Sequence, residues 1–115
     1  MQIEDLQKIC KKLKGTTEDI KWENHLCMCI GGKMYLVIGL DEHPTTASFK
    51  VHEEEFEEIC QRDGFIPAPY MAKNKWVFVD NIKKISKKEW EHYAKQSYDL
   101  VKLKLSKKLQ KELGI

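Results

Sequence analysis

Apolar side chains near the start of the chain recur at the spacing of one helical face, at Ile3, Leu6, Ile9, Cys10 and Leu13. Acidic residues fall in the first turn of this segment and lysines in its last turn, which is the arrangement that the helix dipole favours. Gly15 follows the last lysine and is typical of a helix end. The pattern therefore predicts an opening amphipathic helix, followed by a polar connection through Thr16 to Asn24.

Two short apolar runs come next, over 25–30 and 33–40, and Gly31-Gly32 lies between them. A Gly-Gly loop supplies the positive φ angles that tight hairpin turns require, so these runs predict a β-hairpin. Polar and apolar residues then alternate over 46–51, after a turn that contains Pro44. This alternation predicts a third strand that is buried on one face.

The second half of the chain predicts a further helix, two more strands and a last helix. An apolar stripe within the acidic segment 53–60 predicts a short helix, and 65–70 and 76–79 predict two strands with a turn at Lys73-Asn74. Ser86 and Glu89 fit a capping box at the start of a long helix whose apolar stripe runs to Gly114. The order α-β(3)-α-β(2)-α predicts an α+β domain of two layers, with the helices on one face of an antiparallel sheet.

Length and composition narrow the class of protein. At 115 residues, with 42% apolar residues and a net charge of +2, the chain fits one domain over 1–115. A domain of this size forms a hydrophobic core that needs no disulfide bond or bound metal. The four cysteines lack the density of a secreted disulfide framework, and the acidic start Met1–Asp5 does not resemble a secretion signal. We expect a cytoplasmic protein with no membrane segment and with reduced thiols.

Charge is distributed unevenly along the chain. Residues 1–80 carry 10 basic and 14 acidic residues, whereas residues 81–115 carry 10 lysines and 4 acidic residues. Four of these lysines share one face if the last helix is unbroken: Lys104, Lys107, Lys108 and Lys111. Such a stripe would neutralise phosphates, but alternating charges between Lys88 and Lys102 are also typical of an ordinary, ion-paired helix surface.

A second cluster of cations lies at the predicted hairpin tip, where Lys73 and Lys75 flank Asn74 and precede Trp76. Lysines at a tip contact phosphates, and an exposed indole stacks on bases. The alternative is that Trp76 belongs to the core, since aromatic residues on a strand of a small domain are usually buried.

No motif for catalysis or for a bound cofactor is present, so we expect no enzyme activity, no cofactor and no metal. The Cys27-x-Cys29 pair is spaced too closely for a structural zinc site and is better explained by packing on one face of a strand. The predicted second helix carries four acidic residues that would attract a hard cation weakly: Glu53, Glu54, Glu57 and Glu58. Acidic residues on an amphipathic helix usually form only its solvent-exposed face.

The segments 66–77, IPAPYMAKNKWV, and 97–108, SYDLVKLKLSKK, resemble the MmcQ/YjbR family of small bacterial proteins. Ser106 stands where members typically have proline, and Tyr70 and Ala72 stand where many have histidine and asparagine. The resemblance implies a two-layer α/β fold related to secretion chaperones and similar in outline to the frataxin-like CyaY. It also implies DNA binding through two hairpin wings, here tipped by Gly31-Gly32-Lys33 and Lys73-Asn74-Lys75.

The residues and the resemblance together predict a non-enzymatic protein that binds double-stranded DNA weakly and without sequence preference. The predicted contacts are Lys73, Lys75, Trp76, Lys104, Lys107, Lys108 and Lys111. The alternative is a module that binds a protein partner, as chaperone-like proteins do, or that forms a homodimer. Metal binding by the acidic helix is a third hypothesis.

Overall fold

A computed structural model describes residues 1–115 as four helices on one six-stranded antiparallel sheet of order β1-β2-β3-β4-β6-β5. The helices are α1 (Ile3–Lys11), α2 (Glu53–Ile59), α3 (Lys87–Lys102) and α4 (Lys107–Leu113). The strands are β1 (Thr16–Lys21), β2 (His25–Ile30), β3 (Lys33–Gly39), β4 (Thr46–Lys50), β5 (Phe65–Pro67) and β6 (Trp76–Val79). None of the helices is long and apolar enough to cross a bilayer. The α+β class and the antiparallel sheet are confirmed.

The polar connection that we expected over 16–24 is wrong, because Thr16–Lys21 forms the edge strand β1. It pairs with β2 from Thr16 opposite Ile30 to Lys21 opposite His25. Most of its side chains are exposed on both faces of the sheet, so the sequence carries no alternation of polar and apolar residues. The observed order of elements is therefore α-β(4)-α-β(2)-α-α.

The long C-terminal helix is also divided in two. The capping box at its start is as predicted, with the Glu89 backbone N–H donating to the Ser86 hydroxyl at 3.1 Å. The helix stops after Lys102, however, and Ser106 begins a new one, since its hydroxyl accepts the Leu109 backbone N–H at 3.1 Å. Serine is a strong N-cap residue, and here it competes with continuation of the helix. The continuous lysine face that we expected from Lys104 to Lys111 does not exist.

All four helices contribute to one core on a single face of the sheet, as predicted. Its largest fully buried side chain is Trp90 of α3, which packs edge-on against Phe49 of β4 with ring centroids 5.4 Å apart. The opposite face carries a smaller apolar cluster of Cys27, Cys29, Val37, Ala68 and Trp76. No helix covers this second face, and the segment 68–75 lies over part of it.

Gly31 in the β2–β3 turn fixes the position of α4. Its φ is +58°, and a Cβ at this position would lie 2.7 Å from Leu105 Cδ1 and 3.2 Å from Leu109 Cδ2. Gly32, with a φ of +81°, has open space around it. We expect Gly31→Ala to lower the free energy of unfolding by about 1–2 kcal/mol more than Gly32→Ala, because both carry backbone strain but only the first pushes the packed side chains of Leu105 and Leu109 out of place. Urea denaturation of the two variants measures the difference, and equal losses would contradict this packing.

Candidate nucleic-acid interface

The register of the sheet brings several lysine-bearing segments to one end of the molecule. Lys33 begins β3 opposite Ile30, the last residue of β2, and Lys50 ends β4 opposite Trp76, the first residue of β6. The turn at 72–74 precedes Trp76, and the contacts of Gly31 place α4 at this same end. We call this end of the sheet, with the turn at 72–74 and the segment 103–114, the lysine end.

Three of the lysines come together although they lie far apart in the sequence. Lys50, Lys75 and Lys104 line a shallow pocket of about 480 Å³ on the lysine end, together with His52, Glu53, Glu54 and Leu103. Lys75 is the left-handed residue after the turn at 72–74, and Lys104 lies in the break between α3 and α4. The structure thus joins the predicted hairpin tip to the predicted basic C-terminal region.

Lys50 is held in this pocket by two hydrogen bonds, one from its backbone and one from its ammonium group. Its backbone N–H donates to the hydroxyl of the fully buried Ser97 at 2.9 Å, and its ammonium donates to the Asn74 carbonyl at 2.6 Å. Burial, and then the nearby charge of Lys104, lower the pKa of Lys50. An anion bound in the pocket would relieve this repulsion between the two ammonium groups. Lys75, in turn, places its ammonium 5.0 Å from the centre of the Phe56 ring.

The remaining predicted lysines lie at the same end of the sheet, outside the pocket, and are exposed. Lys73 is in the turn at 72–74, and α4 carries Lys107, Lys108 and Lys111. Neither these lysines nor the three of the pocket form an ion pair within 4.0 Å, whereas Lys95 and Lys102 on α3 both approach Asp99. The ion-paired surface predicted for α3 is therefore present only from Lys95 to Lys102, and it does not extend to the lysine end.

Trp76 does not belong to this surface. Its side chain is only 7% exposed and packs in the small cluster on the helix-free face. The expectation that its indole stacks on bases is corrected by this burial, since a stacking platform must be open to the ligand. Trp76 instead anchors β6 next to the turn that carries Lys73 and Lys75.

The β2–β3 turn is not a free wing, because Leu105 and Leu109 lie against Gly31. Gly32 and Lys33 are exposed beside this contact. Lys50 was missed by sequence reasoning, since a single lysine at the end of a half-buried strand has no distinctive pattern. Only its pairing with β6 and its contact with Asn74 place it among the other lysines.

The cysteines and the acidic helix show no arrangement for chemistry. Cys27 and Cys29 are buried on the helix-free face, where burial raises the pKa of Cys27 to about 11 and also raises that of Cys29. Thiols with raised pKa values are weak nucleophiles at neutral pH. Nowhere do three His, Cys, Asp or Glu side chains lie together as metal ligands, and this includes the glutamates of α2.

Comparison with known proteins agrees with this fold. The sequence profile of the YjbR family matches residues 11–100. The chain belongs to the YjbR family. The match covers the whole sheet and most of α3, so it confirms the family and includes the segment 66–77, whereas it ends at residue 100, within the segment 97–108. No functionally curated protein has a sequence significantly similar to this YjbR chain.

Two solved structures resemble the YjbR chain. A crystal structure of Deinococcus radiodurans protein DR2400, with a DUF419 domain, has a TM-score of 0.87 and 26% sequence identity, covering 99% of this chain and 88% of that one. A Pseudomonas syringae protein has a TM-score of 0.71 and 20% identity, covering 87% of this chain and 98% of that one. The second likeness supports the fold alone.

Proposed function

We propose that this YjbR protein is a non-enzymatic binder of double-stranded DNA and that the lysine end is its contact surface. The observation that carries the proposal is the gathering of Lys50, Lys75 and Lys104 in one pocket without a carboxylate partner within 4.0 Å. These lysines come from the end of β4, from the residue after the turn at 72–74 and from the break between α3 and α4, so the fold itself concentrates positive charge at this point of the surface.

The contact set consists of this pocket and the exposed lysines around it: Lys50, Lys73, Lys75, Lys104, Lys107, Lys108 and Lys111. Lysine ammonium groups act as point charges on phosphate and carry no information about base sequence. Glu53 and Glu54 line the same pocket and repel phosphate. Binding is therefore modest, sensitive to salt and nearly independent of DNA sequence.

The experiment that tests the proposal is fluorescence anisotropy of a labelled random-sequence duplex at about 50 and 200 mM salt. With about four to six phosphate contacts, log K falls with log salt at a slope of about −4 to −5, which is a loss of roughly 250- to 1,000-fold over this range. We expect micromolar binding at the lower salt and none at the higher. Affinity that does not respond to salt, or no binding at about 50 mM salt, would contradict the proposal.

A module for a protein partner, or a homodimer, is the alternative proposal. It is favoured by the large apolar side chains exposed outside the lysine end, which include Trp22, Ile66 and Tyr70. Exposed patches of several hundred Å² usually mark contact surfaces. Light scattering over a range of protein concentrations distinguishes a constant monomer mass from a dimer.

A further inference from the structure

The helix-free face of the sheet carries a second pocket, at the end opposite the lysine end. It has a volume of about 440 Å³ and is lined by both apolar and polar side chains, among them Trp22, His25, Val37, Glu42, Tyr70 and Phe78. We propose that this pocket binds a small organic cation, with an ammonium group and an apolar or aromatic body. We call it the aromatic pocket.

Two aromatic residues at its rim are held by an unfavourable backbone conformation. Trp22 and Tyr70 have φ angles of +53° and +66°, in the left-handed region that bulky side chains rarely adopt. Both side chains are nonetheless exposed, Trp22 at 65% and Tyr70 fully. For Trp22 the cause is the β1–β2 hairpin turn, since the next residue, Glu23, has a φ of +67° as well, and this turn presents the indole to solvent at the pocket rim.

The orientation of Trp22 is set by the neighbouring ring of His25. The two rings meet edge to face, with centroids 5.7 Å apart and planes at 84°. His25 also lines the pocket, so this contact sets where the indole of Trp22 stands at the pocket rim.

The charge of the pocket selects the sign of its ligand. Glu42 is the one charged carboxylate or ammonium side chain of the lining, and it forms no ion pair within 4.0 Å. Its position depends on Gly39, where a Cβ would lie 3.2 Å from Glu42 Oε1 and 2.6 Å from Thr46 Oγ1. No lysine or arginine lines the pocket to neutralise this carboxylate.

A carboxylate beside aromatic faces is the arrangement that recognises ammonium ligands. The ring faces attract the cation through their quadrupoles, while the carboxylate supplies the counter-charge. Val37, Met71 and Phe78 offer apolar contact for the rest of the molecule. The volume lies in the range of pockets that enclose small ligands. An anion such as a phosphate is disfavoured here by Glu42, so this pocket and the lysine end bind ligands of opposite charge.

The test is a calorimetric titration of the full chain with benzyltrimethylammonium, and with benzenesulfonate as the anionic probe of similar shape. We expect millimolar or tighter binding of the cation and none of the anion. Glu42→Gln should weaken cation binding about five-fold or more, and Trp22→Ala about ten-fold, because they remove the counter-charge and an aromatic face. Asp41→Asn is the matched control, since it removes a neighbouring charge outside the pocket, and should leave affinity unchanged.

Each of three results would overturn the proposal. The first is no heat of binding with benzyltrimethylammonium at concentrations up to about 10 mM, because the dissociation constant would then be too high for a specific pocket of this kind. The second is equal affinity for benzenesulfonate, or an affinity that Glu42→Gln does not change. The third is a dimer by light scattering that Trp22→Ala converts to a monomer, because this face would then bind a second copy of the chain. Folding of each variant is checked by circular dichroism.

Discussion

Replacing Lys50, Lys75 and Lys104 together with glutamine should lower the affinity for duplex DNA by about 100-fold or more at about 50 mM salt. The three ammonium groups line one pocket, and each contact with a phosphate releases a condensed counterion. The slope of log K against log salt should therefore become less steep by about 3 units, or about 1 for each lysine lost. Anisotropy titrations at several salt concentrations measure both quantities.

The matched control is the triple variant Lys83→Gln, Lys87→Gln and Lys88→Gln. These lysines are exposed and unpaired, and they lie near the start of α3, at the other end of the sheet. Both triple variants change the net charge by the same amount. If the two lose affinity equally, net charge drives the binding and the lysine end is not the contact surface. If only the variant of Lys50, Lys75 and Lys104 loses affinity, binding depends on the position of the lysines and not on net charge alone.

Truncating Trp90 to alanine should have the largest effect on stability, with a loss of about 3–5 kcal/mol in the free energy of unfolding. The side chain is completely buried, and its indole N–H donates to the Ile82 carbonyl at 2.9 Å. It packs against Phe49, so its removal leaves a cavity between α3 and the sheet. Because domains of this size are stable by about 5–15 kcal/mol, the variant should be close to unfolding at 37 °C.

Urea denaturation followed by circular dichroism measures this loss. Trp90→Phe should lose less, because it keeps an aromatic ring and removes only the indole hydrogen bond and part of the volume. Trp22→Ala is the control, since it removes an equally large side chain that is 65% exposed, and should change stability little. A similar loss for Trp22→Ala and Trp90→Ala would show that the core described here is wrong.

Features that depend on neighbours in the chain could be predicted from the sequence. The Gly31-Gly32 hairpin and the Ser86 capping box lie where the pattern predicted them. The helix predicted at 53–60 is α2, which ends one residue earlier, at Ile59. Each reflects the conformation of a few consecutive residues, which composition and spacing express directly. The family, too, could be predicted from two short segments of the sequence, 66–77 and 97–108, and the family profile confirms it over residues 11–100.

Features that depend on distant partners were decided only by the tertiary structure. β1 is a strand because β2 provides its hydrogen bonds, although its own residues are polar and exposed. The break between α3 and α4 shows a second limit. The apolar stripe continues through Leu105 and Leu109 and so predicts one unbroken helix, whereas in the structure Ser106 caps a new helix and Leu105 packs against the β2–β3 turn.

The candidate sites show the same division. From the sequence by itself, the lysines at 73 and 75 were predicted at a hairpin tip, and those from 104 onwards on one face of a helix. Nothing in the sequence indicated that the two groups lie at the same end of the molecule. Strand register and the packing of α4 unite them and add Lys50. Trp22 and Tyr70 lie 48 positions apart in the sequence and share a pocket only because the segment 68–75 folds back over the sheet. Local patterns are determined by the backbone of each segment, whereas a binding surface is determined by which segments the whole sheet brings together.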